Sequence, residues 1–141
     1  MELYKLRTTY GSERHVKDDI KKLLDAWGAF WWMPPANGFG KVGVSDINAL
    51  KRGVFIAVEA KFGGNKPTIN QKQYLQSITA EDGFGFVVDE KTIRLFAKWL
   101  ALFETATVHT SKGEKLPDEV GAELLDIART LTEPTLLITG K

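Results

Sequence analysis

Apolar positions first recur at helical spacing. In SERHVKDDIKKLLDAWG, Val16, Ile20, Leu23, Leu24 and Trp27 share one face, Ser12 fits an N-cap and Gly28 ends the run. The same face takes in Glu13, three residues before Val16, so a carboxylate is expected on the inward side of this helix. The pattern then changes period. AFWWM reads as a short aromatic strand stopped by Pro34 and Pro35, and PPANGFGKVG as a Gly- and Pro-rich loop. VSDINAL and VFIAVEAK follow as strands joined at KRG. FGGNKP is a loop, and TINQKQYLQSITA a helix with Tyr74, Leu75 and Ile78 as its stripe. FGFVV is a fourth strand, KTIRLFAKWLALF and LPDEVGAELLDIARTL are helices, and TLLITGK is a tail. The order α-β-β-β-α-β followed by helices predicts an α/β fold, a mixed central β-sheet flanked by helices.

The strand Val54 to Lys61 alternates Val54, Ile56, Val58 and Ala60 with Phe55, Ala57, Glu59 and Lys61. Both faces are apolar for most of its length, which marks an interior strand. A carboxylate and an amine at its far end therefore ask for a chemical reason. Asp46 lies on the preceding strand. If Lys51-Arg52 is a two-residue turn, Ser45 pairs with Val58, and Asp46 falls one diagonal step from Glu59 on the same face. A three-residue turn, Lys51-Arg52-Gly53, reverses the parity and requires a bulge near Asp46. Both registers stay open at this point.

Composition narrows the chemistry. The 141 residues suit one domain with a substantial core, and no apolar run approaches a membrane span. Cys is absent, which excludes disulfides and thiolate metal sites. The only histidines, His15 and His109, stand far apart in sequence, so an imidazole zinc site is not expected, and His15 reads as a solvated helix residue. Any metal would be held by carboxylates, which favours Mg²⁺ or Mn²⁺. The polar start and the lack of cysteines make a cytoplasmic address the expectation. Residues 1–80 carry 12 Lys or Arg against 7 Asp or Glu, and the remainder carries 7 against 11. A basic first part suits a polyanionic ligand.

A cation held by Asp46, Glu59 and the Ala60 carbonyl would polarise a phosphodiester, with Lys61 orienting a water or stabilising the developing charge. Asp46, then Glu59-Ala60-Lys61 on the next strand, with Glu13 on an earlier helix, resembles the PD-(D/E)XK nuclease superfamily. INQKQYL, with Gln71 opening a helix, resembles more narrowly its VRR-NUC family, the virus-type replication and repair nucleases. The likeness covers residues about 12 to 89, and the stretch from about 90 to 141 stands outside it as a C-terminal helical extension. Ser45-Asp46 replaces the superfamily's Pro-Asp pair.

The resemblance implies a restriction-endonuclease-like core and a Mg²⁺- or Mn²⁺-dependent DNA endonuclease. It assigns Asp46 and Glu59 as metal ligands, Lys61 as catalytic, Glu13 as an accessory ligand and Gln71 as an active-site residue. The small size is similar to that of viral or prophage members, which implies a homodimer acting on branched DNA, four-way junctions in particular, inside a bacterial or phage-infected cell.

Several residues carry a plainer alternative. Asp46, Glu59 and Lys61 could form a structural ion-pair group. Glu13 could favour the positive end of its helix. Thr68-Ile69-Asn70-Gln71 fits a capping box, so Gln71 could bond the Thr68 backbone instead of a substrate. FWWM reads as core, with stacking of one Trp on a base as the rival. Lys41 and Lys66 could contact DNA phosphates or be ordinary loop lysines. Two other functions compete with catalysis. One is a non-catalytic DNA-binding module retaining the fold. The other is an interaction protein presenting Phe96, Trp99, Leu100 and Phe103 as an apolar face.

Overall fold

The computed structural model describes residues 6–35 and 43–136. Its elements are α1 (Glu13–Trp27), β1 (Phe30–Trp32), β2 (Ile47–Lys51), β3 (Val54–Ala60), α2 (Ile69–Ala80), β4 (Phe84–Val88), α3 (Ile93–Ser111) and α4 (Asp118–Leu136). The expected order holds throughout, as a mixed four-stranded sheet flanked by helices. Strand order is β1-β2-β3-β4, antiparallel except for the parallel β3–β4 pair. Parallel neighbours need a crossover, and α2 supplies it.

Residues Val16, Ile20, Leu23, Leu24 and Trp27 of α1 are all buried, as the periodicity requires. Ser12 accepts from the His15 N–H, and Gly28 closes the helix at φ 78°, a left-handed conformation that suits glycine. Lys51 donates to the Trp27 carbonyl and lies over the Trp27 ring, placing a cation at the negative end of α1.

One face of the sheet carries Ile47, Ala49, Ile56, Val58, Ala60, Phe86 and Val88 against α1, α3 and α4. The other carries Ala57 and Val87 beneath Leu75 of α2. This double cover explains why β3 is apolar on both sides. At Gly85 an added Cβ would come within 2.5 Å of the Leu75 carbonyl oxygen, so α2 sits directly on the β4 backbone. Helix α4 touches β4, α3 and α2, and so lies along the β4 edge and covers its unpaired side.

Three expectations are corrected. Phe96, Trp99, Leu100 and Phe103 are buried in the main core, where Trp99 meets Phe84, Phe86 and Phe103 at 4.8–5.0 Å. That face is consumed by folding, so it presents nothing to a partner, and the helical extension is part of the core. FWWM is not core. On the three-residue edge strand β1 only Trp31 packs against the interior, while Phe30 is 70% and Met33 41% exposed. Helix α3 runs eight residues past Phe103, its expected end, and α4 continues through Pro134.

The β2–β3 hairpin follows neither expected register. Lys51 pairs with Val54 and Ile47 with Val58, so the turn is Arg52-Gly53, both at positive φ (50° and 82°). Positive φ at both central residues defines the type I′ turn that matches strand twist. Relative to the two-residue alternative the pairing slides by two residues. Parity is kept, and Asp46 comes directly opposite Glu59.

Candidate active site

Asp46 precedes β2, and Glu59 and Ala60 end β3. Extending the ladder by one step beyond Ile47–Val58 brings the two acids together. Two hydrogen bonds fix that meeting. The Asp46 N–H donates to Glu59 Oε1 at 3.3 Å, and the Ala60 N–H donates to Asp46 Oδ2 at 3.0 Å. Lys61 follows the strand, its N–H donating to the Val88 carbonyl at 3.0 Å. That bond anchors the residue whose Nζ stands 3.3 Å from Glu59 Oε2. The order acid, acid, amine read from sequence is thus one contiguous cluster.

Its electrostatics are uneven. Glu59 is 1% exposed, and its carboxyl is pushed up to about 7, first by burial and then by the charge of Asp46. Lys61 pulls it back only in part. A buried carboxyl with an acid beside it stores unfavourable energy that a further cation would relieve.

Beneath the cluster lies a polar floor that the sequence reading missed. Ser45 Oγ donates to Asn48 Oδ1 at 2.8 Å, and the Tyr74 hydroxyl donates to the same oxygen at 3.3 Å. Burial raises the Tyr74 phenol, keeping it a donor. Asn48 and Ser45 are 2% and 1% exposed. Ser45 directly before Asp46, and Asn48 two residues after it between Ile47 and Ala49, are the signal that could have revealed it.

Of the other expected site residues, Glu13 and Gln71 have partners of their own. Glu13 is not turned into the core; its half-exposed carboxylate stands 3.7 Å from Lys17 Nζ. It shares the side of α1 that carries the buried Val16, but at the rim, where Lys17 stands between it and Asp46. Gln71 is engaged in the capping box, accepting from the Thr68 N–H at 2.8 Å and donating its own N–H to Thr68 Oγ1 at 3.2 Å. Lys66 is exposed in the loop after β3, and Lys41 lies outside the described residues.

Among the described residues no group of three or more acids or histidines is gathered to enclose a metal. What is present is a pair of carboxylates beside the Ala60 peptide. Such an incomplete, all-oxygen set fits Mg²⁺ or Mn²⁺, which keep water and substrate ligands, and does not fit a thiophilic ion. Among the same residues no helix is long and apolar enough to cross a membrane. No protein-family model matches the chain, and no curated protein matches it.

Proposed function

We propose that this protein hydrolyses phosphodiester bonds in DNA with Mg²⁺ or Mn²⁺ held by Asp46, Glu59 and the Ala60 carbonyl. The observation that carries this reading is a fully buried Glu59 carboxyl set against a second acid, with the Lys61 amine 3.3 Å away. A structural ion pair has no need of the second acid, whereas a cation site does. The chemistry supplied by a bound divalent ion is polarisation of a phosphate oxygen and acidification of a water.

The chain's own residues do the rest. Asp46 Oδ2 is oriented by the Ala60 N–H, so the ligand carboxylate is set before any ion arrives. Lys61, only 12% exposed at its side chain, keeps its ammonium in a low-dielectric setting where it stabilises negative charge on a phosphate or orients a water. Lys66, exposed on the loop after β3, is in this reading a contact to the phosphate backbone. The sheet with its crossover helix is consistent with the restriction-endonuclease-like core of the PD-(D/E)XK superfamily. Membership of the VRR-NUC family, a homodimeric state and a preference for four-way or other branched DNA complete the proposal and rest on the sequence resemblance.

The test is cleavage of linear, flapped and four-way DNA by purified protein with Mg²⁺ or Mn²⁺, against Lys61→Ala. The variant should lose about a thousandfold or more in rate, from loss of a charge contact at the reacting phosphate, with an unchanged circular dichroism spectrum. Equal rates for variant and wild type would overturn the assignment. Tight DNA binding without cleavage of any substrate would identify a binding module instead.

A further inference from the structure

A second ammonium stands at the same cluster, on α1 rather than β3. Lys17 Nζ lies 3.5 Å from Asp46 Oδ1 and 3.7 Å from Glu13 Oε2, with its side chain 25% exposed. Asp46 has its two oxygens committed differently. Oδ2 accepts the Ala60 N–H, and Oδ1 faces Lys17. Each carboxylate oxygen has two acceptor positions, so a divalent ion on Asp46 can leave the Ala60 hydrogen bond in place, but on either oxygen it comes close to the ammonium at Oδ1. The ammonium can move aside, because it ends a flexible four-carbon stem and is readily hydrated.

We propose that Lys17 is a resident counter-ion, holding Asp46 in the metal-free protein and displaced onto Glu13 when a divalent ion binds. The inference rests on the metal-dependent reading of the site and adds to it a residue that sets metal affinity. Glu13 and Lys17 are four residues apart on α1, with the acid N-terminal, the favourable order for a pair on one helix face. Glu13 thus offers the displaced ammonium a partner already within 3.7 Å, so release from Asp46 does not leave the charge stranded. This gives Glu13 a role other than ligand: it receives Lys17. Competition follows from charge alone. An ammonium and a divalent ion on one carboxylate repel each other, so whichever is bound weakens the other.

Calorimetric titration of the whole protein with Mn²⁺, without DNA, tests this. Lys17→Met keeps the stem and removes the charge, and should tighten Mn²⁺ binding about tenfold, as loss of one close positive charge predicts. Glu13→Gln should weaken Mn²⁺ binding in the wild-type background, because Lys17 then stays on Asp46. In the Lys17→Met background the same change should do nothing, since no ammonium remains to receive. Unchanged or weaker Mn²⁺ binding in Lys17→Met would overturn the counter-ion role while leaving the metal site standing. Weakening by Glu13→Gln in both backgrounds would make Glu13 a ligand and overturn its part. If neither wild type nor Lys17→Met takes up Mn²⁺, the metal-dependent reading fails and this inference with it. Melting temperatures without metal should stay within a few degrees of wild type, because the ion pairs involved are part-exposed.

Discussion

Two acids in this molecule are buried to the same degree, and they are treated in opposite ways. Asp19, 0% exposed on α1, accepts from the Tyr10 hydroxyl at 2.7 Å and the Arg7 N–H at 2.9 Å. Its other oxygen faces Arg7 Nε at 3.8 Å and Lys22 Nζ at 3.6 Å. Burial, and then the bond to Asp19, raise the Tyr10 phenol above its usual range, so it stays a donor. Glu59, 1% exposed, has one backbone donor, one lysine and another acid. Tyr10, Arg7 and Lys22 all favour the negative charge of Asp19, while beside Glu59 the Asp46 carboxylate opposes it. Burial of an acid therefore does not by itself mark a chemical site; the company it keeps does.

Substitution should separate the two. Asp19→Ala strands the Tyr10 hydroxyl and the Arg7 N–H and leaves the Arg7 guanidinium only Asp18, 3.7 Å away, as an ion-pair partner. It should cost about 3 kcal/mol, or on the order of 10 °C in melting temperature. The Mn²⁺ affinity of the molecules that remain folded should not change. A loss below about 0.5 kcal/mol in urea unfolding would mean that Asp19 is not the pin holding the segment before α1.

Glu59 should respond in the other direction. Its folded carboxyl titrates near 7, above the ordinary 4.5, so the folded state binds a proton more tightly than the unfolded chain. Stability from this group is fully present below about 4.5 and is lost as pH rises through 7. The shift corresponds to at most about 3 kcal/mol across that window. Unfolding in EDTA from pH 4 to 8 should show the decline, and Glu59→Gln should remove most of it and be the more stable protein at pH 8. Millimolar Mg²⁺ at pH 8 should restore stability to wild type alone, by mass action on the folded state. Matching pH slopes for wild type and Glu59→Gln would mean that the buried carboxyl is not under strain.

The contrast also explains what could be read from the chain. Periodicity made α1 legible, breaks at Gly, Pro and polar residues set off the other elements, and the apolar character of both faces of Val54–Lys61 located the interior strand and the polar residues at its end. The hairpin register was not legible. It depended on Arg52 taking a left-handed conformation at φ 50°, which its side chain disfavours and only the flanking strand pairing imposes. Asp19 was readable in principle, because it interrupts the stripe between Val16 and Leu23, but its partners Tyr10 and Arg7 come from a segment with no regular pattern. FWWM misled because aromatic composition does not say which neighbouring strand will cover a ring, and β1 turned out to be an edge. The Lys17–Glu13 pair was visible in SERHVK from its four-residue spacing, but the contact of Lys17 with Asp46 depends on how α1 packs and was not.

The smallest test puts the same question, structural or chemical, to a single amide. Gln71 completes a capping box with Thr68 in which both bonds are present. Gln71→Ala should therefore lower stability by about 1 kcal/mol, as loss of a helix cap does. Gln71→Glu keeps an acceptor for the Thr68 N–H and should retain the stability. A cap acts on the start of α2 and not on the reacting phosphate, so cleavage per folded molecule should stay within about threefold of wild type in both variants, a barrier change under about 1 kcal/mol. A hundredfold loss of rate in both, with the cap intact in Gln71→Glu, would instead put the amide in contact with substrate. Gln71 would then belong with Glu59, as a side chain whose partner in the folded protein is only its resting one.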